Sequence, residues 1–217
     1  MSTFVHGRQI GLPVSISFSL SETLNTMSAK RLHLITTAFE LFYQKGIHAV
    51  GINEILSESG VAKKTLYHHF AGKDELVLAV LEYRDQRFCQ WLKGNLDKAT
   101  SGMDKIDALF DALDDWFNDR VDALSPFHGC FFINVSGEYS APDHPIHQQC
   151  TQHKRNVAML LRGQFEALSI DASLGSRLTD DLCLLKEGAI TLAYVQGDRK
   201  AALKAKDTAK RLVAADL

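Results

Sequence analysis

The chain has 217 residues, 46% of them hydrophobic and 23% charged, with a formal net charge of −2. That is long enough to bury a sizeable core, as one domain or as a small domain beside a larger one. No run approaches the roughly 20 apolar residues needed to span a bilayer, and no basic segment followed by an apolar one marks a secretory signal. The four cysteines (Cys89, Cys130, Cys150, Cys183) form no C-x-x-C pair. This argues against a zinc ribbon or a disulfide scaffold and fits a reducing, cytoplasmic setting.

The charge is unevenly spread. Residues 27–73 carry six Lys/Arg against three Glu, a balance of +3, while residues 74–217 carry 17 basic and 22 acidic side chains, a balance of −5. A basic front on an acidic body is the pattern of a local polyanion-binding module.

In chain order, residues 1–27 come first. Ile10, Leu12, Val14, Ile16, Phe18 and Leu20 alternate with small or polar residues at the period of a strand, with Pro13 interrupting and no second strand to pair with. The expectation is a mobile tail, with Met27 as an alternative initiator.

From Ser28 the pattern turns helical. Leu32, Ile35, Phe39 and Phe42 line one stripe, Ser28 suits the N-cap, and Gly46 suits a left-handed C′ position. Ile52, Ile55 and Leu56 mark a short second helix that Gly60 stops. Leu66 and Phe70 mark a third. Two short helices joined by a glycine-containing turn and packed on a longer first helix form a helix-turn-helix. Lys63, Lys64, Thr65, Tyr67, His68, His69 and Phe70 then concentrate cationic and planar side chains in one place, with Lys73 opening the next helix.

After Asp74 the chain reads as all helix. A long fourth helix runs from Leu76 toward Ala99, and Ser101-Gly102 breaks it. The next, marked by Ile106, Leu109, Phe110, Leu113, Trp116 and Phe117, is expected to run to Ser125-Pro126. Residues 129–140 are apolar and aromatic nearly all round and are expected to be buried. Pro145 opens a helix carried to Ser169, and two more follow around Leu182–Gln196 and Arg199–Ala215. The expected architecture is all-α, with a tail (1–27), a helix-turn-helix domain (28–75) and a larger helical domain (76–217).

Three runs within residues 29–76 carry a resemblance: AFELFYQKGI (38–47), INEILSESGV (52–61) and KKTLYHHFAGKDEL (63–76). The segment closely resembles the DNA-binding domain of the TetR family of transcriptional regulators. Two positions depart from that family's pattern. Gly51 and Ala62 stand where a Ser or Thr usually caps the second helix and a Ser opens the third. A lost cap costs about 1 kcal/mol and removes a hydroxyl that can meet a phosphate, leaving binding to rest more on lysines.

A recognition helix reads base edges with residues near its start while flanking groups hold phosphates. That logic places Lys63, Lys64 and Thr65 at the base edges. The resemblance points to the same segment, with Tyr67 and His68 on the backbone, and Lys73 at a helix N-terminus also suits a phosphate. For His69 a sealing role beside Phe70 is preferred. Lys30 and Arg31 suit either phosphates or a solvated helix end.

One such domain reads too few base pairs for regulation. The expected partner is a palindromic double-stranded operator bound by a homodimer. The resemblance places the dimer interface on helices at about 146–169 and 178–197, with Leu161, Phe165, Leu185, Gly188, Ala189 and Leu192 as candidates.

The aromatic middle (Trp91, Trp116, Phe117, Phe127, Phe131, Phe132, Tyr139) reads as core or as the wall of a ligand cavity. The resemblance favours an effector pocket formed by Trp91, Trp116, Phe117, Phe127, His128, Phe131, Asn134 and Tyr139. It implies a repressor released by a small apolar or aromatic molecule. Two alternatives stand beside it: a redox-responsive regulator sensing through Cys130, and a helical scaffold without a ligand.

No cofactor or metal is expected. His144, His147, Cys150 and His153 recur every third residue, each step turning about 60° around a helix, so neighbours can share an ion and all four cannot. No G-x-S-x-G, P-loop, dinucleotide fingerprint or H-E-x-x-H points to an enzyme.

Overall fold

The computed structural model describes residues 28–124, 126–166 and 172–216. The strand-like pattern of residues 1–27 and the helix end expected at Ser169 lie outside them. Among the described residues there are nine α-helices and no strand: α1 Ala29–Lys45, α2 Ile52–Ser59, α3 Lys63–His69, α4 Lys73–Leu96, α5 Gly102–Phe117, α6 Phe131–Glu138, α7 Pro145–Glu166, α8 Ala172–Val195 and α9 Ala201–Asp216. A 3₁₀ turn at Asp122–Leu124 lies between α5 and α6.

Local chemistry sets the boundaries of the first three helices. Ser28 caps α1, its Oγ accepting from the Arg31 amide at 3.2 Å. Gly46 ends it with φ +85° and ψ 157°, a positive φ as expected but an extended ψ rather than the left-handed helical one. Gly60 does adopt the left-handed helical conformation, at φ 64° and ψ 11°, and stops α2. Helices α2 and α3 pack on α1, burying Ile55, Leu66 and Phe70.

α5 ends at Phe117, eight residues before the expected stop at Ser125. Asn118 turns out of the helix, and Asp119, at φ 58°, takes the left-handed conformation that short acidic and amide side chains tolerate. The Asp119 carboxylate then accepts from the Phe127 amide at 2.6 Å, fixing the turn into α6. In α6, Phe131, Phe132 and Val135 are buried as expected, while Ile133 is 41% exposed.

The long α4 is the spine. It packs against α1 on one side and against α5 and α7 on others, while α8 lies on α7 and α9 lies on α5 and α8. The apolar core runs without a break from Leu34 and Phe42 of α1 to Ala205 and Ala209 of α9. The boundary expected at residues 75 and 76 therefore falls at the start of a helix that both halves share. Lys206 with Asp111 (2.5 Å) and Lys210 with Asp107 (2.6 Å) fasten α9 to α5 at the surface.

Candidate nucleic-acid interface and inner cavity

α3 presents one face to the core and the other to solvent. Leu66 is completely buried, whereas Lys63, Lys64, Tyr67 and His68 are exposed, Tyr67 at 48%, and Thr65 is half-buried. Seven residues thus place two ammonium groups, a phenol and an imidazole on one side of a helix held rigidly from behind. The structure brings these expected residues together. His69 instead faces Ser28, with Nε2 3.3 Å from Oγ, and seals α3 against the start of α1. The Arg31 guanidinium lies over the Phe70 ring at 5.1 Å.

Lys73 is placed differently from the rest. Its ammonium donates to the Ile47 carbonyl at 2.6 Å and sits 5.9 Å from the centre of the Phe42 ring, so it ties α4 to the loop after α1. The first turn of α4 also carries Asp74 and Glu75, and Glu75 takes the Ala71 amide at 2.6 Å. A carboxylate already occupies part of the site where a phosphate was expected.

The same loop is gripped from the other side by α6. The Glu138 carboxylate accepts from the Ile47 amide at 2.8 Å and the His48 amide at 2.6 Å, with the His48 ring 3.4 Å away. A Cβ on Gly46 would come within 3.2 Å of Glu138, a second reason, after its positive φ, for glycine there. Tyr43 adds a buried link: its hydroxyl donates to the Gly129 carbonyl at 2.7 Å and accepts from the His128 amide at 3.1 Å. Burial pushes the Tyr43 phenol up to about 12 against the nearby charge of Arg84, so it stays neutral.

In the body, an inner cavity of about 10 Å³, room for one water, is lined by Arg84, Phe88, Trp116, Cys130, Phe131, Phe132, His153, Lys154, Lys186 and Ile190. Arg84 and Lys186 are each only 2% exposed. Glu187 is shared by Lys154 (2.6 Å) and Lys186. Burial alone would raise its carboxyl, but the two ammonium groups hold it down to about 2. Lys154 also lies 3.3 Å from the Cys130 sulfur.

Of the aromatic set expected to form the pocket, Trp116 and Phe131 line this cavity. Phe117 and Phe127 pack against each other and against Trp116 as core. Trp91 opens onto a surface groove, and His128 lines a separate hollow of about 100 Å³ against Tyr43. Asn134 donates to the His128 carbonyl at 3.2 Å, and Tyr139 lies against His48 (ring centres 5.0 Å apart). The polar groups expected to fix a ligand therefore serve the loop and the interdomain contact. Of the cavity's polar groups, the sequence singles out His153 and Cys130, in other roles, and not Arg84, Lys154 or Lys186.

The histidine series also separates. His144 and His147 turn to Tyr139, and Cys150 is buried. His153 meets the Asp85 carboxylate at 2.6 Å, where Asn156 (2.6 Å) and Cys89 (3.4 Å) also donate. Asp85, Cys89 and His153 have ligating atoms within 4.8 Å of one another, the one such group among the described residues. They already hydrogen-bond one another, and the positive charges of Lys154 and Lys186 bear on His153, which opposes a cation there. Burial lowers the His153 imidazole to about 4, so it meets Asp85 as a neutral donor.

Of the expected dimer-face residues, Leu161, Phe165 and Ala189 are buried in the core of the single chain, because they fall on the inward stripes of α7 and α8. Leu185 is half-buried. Gly188 and Leu192 are exposed and continue a stripe with Leu184 (71% exposed) and Val195 (73%), and Met159 of α7 is also exposed (55%).

These features define a helix-turn-helix protein with a helical companion body. Residues 34–80 match the family model described as bacterial regulatory proteins, tetR family. The transcriptional repressor KstR2 of Mycolicibacterium smegmatis is 35% identical over 93 residues, 41% of this chain and 43% of that protein. The transcriptional activator FasR of the same organism is 34% identical over 87 residues, 40% of each chain. The chain thus spans about two fifths of the length of these relatives. A TetR-family transcriptional regulator from Streptomyces coelicolor superposes with a TM-score of 0.73 at 27% identity, covering 84% of this chain and 94% of that one. Residues 34–80 thus carry the DNA-binding segment of the TetR family of regulatory proteins, and the chain as a whole shares the fold of a solved member of that family. Among the described residues no helix is long and apolar enough to cross a membrane.

Proposed function

We propose that the chain is a DNA-binding transcriptional regulator that acts as a homodimer on a palindromic operator, and that it represses until a small aromatic or apolar effector releases it. The observation that carries this reading is the outward face of α3, where Lys63, Lys64, Tyr67 and His68 stand together on a helix seated on α1. Lys63, Lys64 and Thr65 reach base edges, and Tyr67 and His68 hold the backbone. Lys73 contributes by fixing the loop before α2. The stripe of Leu184, Gly188, Leu192 and Val195 on α8, with Met159 on α7, supports a face for the second subunit, since exposed apolar patches of this kind mark protein interfaces.

The α1–α2 loop is the link to the effector. It is held by Glu138 and Lys73, so a shift of α4 or α6 changes how α3 is presented. The decisive experiment is a gel shift with DNA flanking the gene. Specific binding falls steeply with salt, and Lys63→Ala and Lys64→Ala each weaken it. A base-reading lysine costs about 1–3 kcal/mol and relaxes sequence preference, whereas a phosphate contact lowers the salt slope by about 1. Because the similar KstR2 is a repressor and the similar FasR an activator, transcription from the flanking promoter is measured with the gene deleted. A rise supports repression and a fall overturns it.

A further inference from the structure

Arg84 is the least expected group in the body. It is 98% buried, donates one hydrogen bond at 2.8 Å to the Leu124 carbonyl, and has no carboxylate partner among the described residues. Its guanidinium lies instead over the rings of Phe39 (5.1 Å), Tyr43 (5.3 Å) and Trp116 (5.9 Å). Arginine is rarely this buried unless paired, and its fork of five donors is shaped for a carboxylate. On the same cavity Lys186 is equally buried and shares its single acid, Glu187, with Lys154. Trp116 Nε1–H, also buried, has no acceptor among the described residues. Asp85 is taken up by His153, Asn156 and Cys89, so three cations, one carboxylate and an unanswered indole donor leave the cavity short of negative charge and of acceptor atoms.

We infer that the inner cavity is the seat of an aromatic monocarboxylic acid, its carboxylate held by Arg84, Lys186 and the Trp116 indole. This rests on the effector reading above and names its chemical class. A carboxylate supplies two acceptors to the guanidinium and a hydrogen bond for the indole, and charge-assisted pairs of this sort are the strong ones. Phe88 and Phe132 supply apolar wall beside the cations. The present space of about 10 Å³ holds one water, so the ring enters by displacing a wall side chain.

The same geometry gives the ligand a route to the DNA-binding domain. Arg84 belongs to α4, and two of the rings beneath it, Phe39 and Tyr43, belong to α1. A carboxylate that draws the guanidinium off those rings weakens the α1–α4 contact. The ligand then binds more tightly to the loosened state, and by reciprocity that state binds operator less well.

The test uses the full chain in thermal-shift and calorimetric titrations at constant ionic strength. The probes are benzoate, phenylacetate and 1-naphthoate against their neutral counterparts benzamide, phenylacetamide and 1-naphthamide, with chloride and acetate as small anions. The expected result is a raised Tm with at least one aromatic acid and affinity at least about tenfold above its amide. Arg84→Lys, Arg84→Met and Lys186→Met, each checked by circular dichroism, reduce that preference about tenfold or more. If one substitution prevents folding, the other two still decide. Amides binding as well as acids overturns the anion inference and leaves the effector reading standing. Acids binding equally to all three variants overturns the site. Stabilisation by chloride alone reduces the cavity to a small-anion site and overturns the aromatic acid. Binding by none of the probes overturns the inference, and the effector reading falls only if a broad apolar screen also releases no DNA.

Discussion

On α3, Lys63, Lys64, Tyr67 and His68 project into solvent from seven consecutive residues, held by Leu66 and Phe70 behind them. In the body, Arg84, His153, Lys154 and Lys186 are gathered from three helices around a space for one water. The first surface is local and can be changed without touching the core. The second is non-local and is itself part of the core, so its chemistry and the stability of the fold are bound together. Surface charges contribute little to stability, whereas buried polar groups are costly to leave unmatched.

The largest effect that separates the two regions is a core truncation. Phe117 is completely buried among Trp116 and Phe127. Phe117→Ala is expected to lose about 3–5 kcal/mol in urea denaturation. Lys63→Ala, in the same assay, changes stability by less than about 0.5 kcal/mol while weakening DNA binding. A large stability loss at Lys63 would break the contrast.

A pH titration sharpens it. The His153 imidazole is held near 4 in the fold against an ordinary 6.5. Between those values the unfolded chain binds a proton that the folded chain refuses, so stability is full above pH 6.5 and falls as pH drops toward 4. The window spans about 2.5 units, on the order of 3 kcal/mol. Denaturation at pH 7 and pH 4.5 of the natural protein and of His153→Gln isolates this contribution: the variant has the flatter profile. Equal slopes would show that His153 is protonated in the fold.

Why one region was legible and the other was not follows from these distances in sequence. The apolar spacing of α1 to α3, the glycine stops at Gly46 and Gly60, and the cluster from Lys63 to His68 are all local patterns, and they located the helices and the exposed face. Lys73 reads locally as a phosphate contact because nothing near it in sequence announces the Ile47 carbonyl that takes its ammonium. The aromatic middle was legible as buried. Its cations were not, although a signal was present: Arg84 lies between Leu81 and Phe88 on the inward stripe of α4, and Lys186 between Leu182 and Ala189 on that of α8. A charge on an apolar stripe is the sign to look for. The pairing of His153 with Asp85, 68 positions earlier, leaves no local trace.

The junction between the regions comes next in size. Glu138 answers two amides of the α1–α2 loop with one carboxylate. Glu138→Gln keeps one acceptor oxygen and loses the charge, and a hydrogen bond to a charged group is worth about 1.5–3 kcal/mol. A loss of about 1–2 kcal/mol is expected, with faster amide exchange at Ile47 and His48 and little change elsewhere in α1. Exchange that rises equally throughout the body would mean that Glu138 supports the whole core and does not clamp a loop.

The smallest effect returns to α3. Both helices of the turn begin without a side-chain cap, at Gly51 and Ala62, each with an extended backbone suited to one. Glycine at this position is only a few tenths of a kcal/mol worse than serine, whereas alanine is worse by about 1 kcal/mol. Ala62→Ser should therefore stabilise the chain by about 1 kcal/mol and Gly51→Ser by a few tenths, even though a Cβ at Gly51 meets nothing within 4 Å. Because Ala62 is exposed at the very start of the recognition helix, its serine hydroxyl can either accept from the Thr65 amide or meet a phosphate. If the cap forms, stability rises and the preference for operator sequence is unchanged. If the hydroxyl serves the phosphate instead, affinity rises on all DNA sequences alike while the unfolding curve stays put. Measuring the two together tells whether the outward face of α3 is as independent of the fold behind it as the contrast with the inner cavity requires.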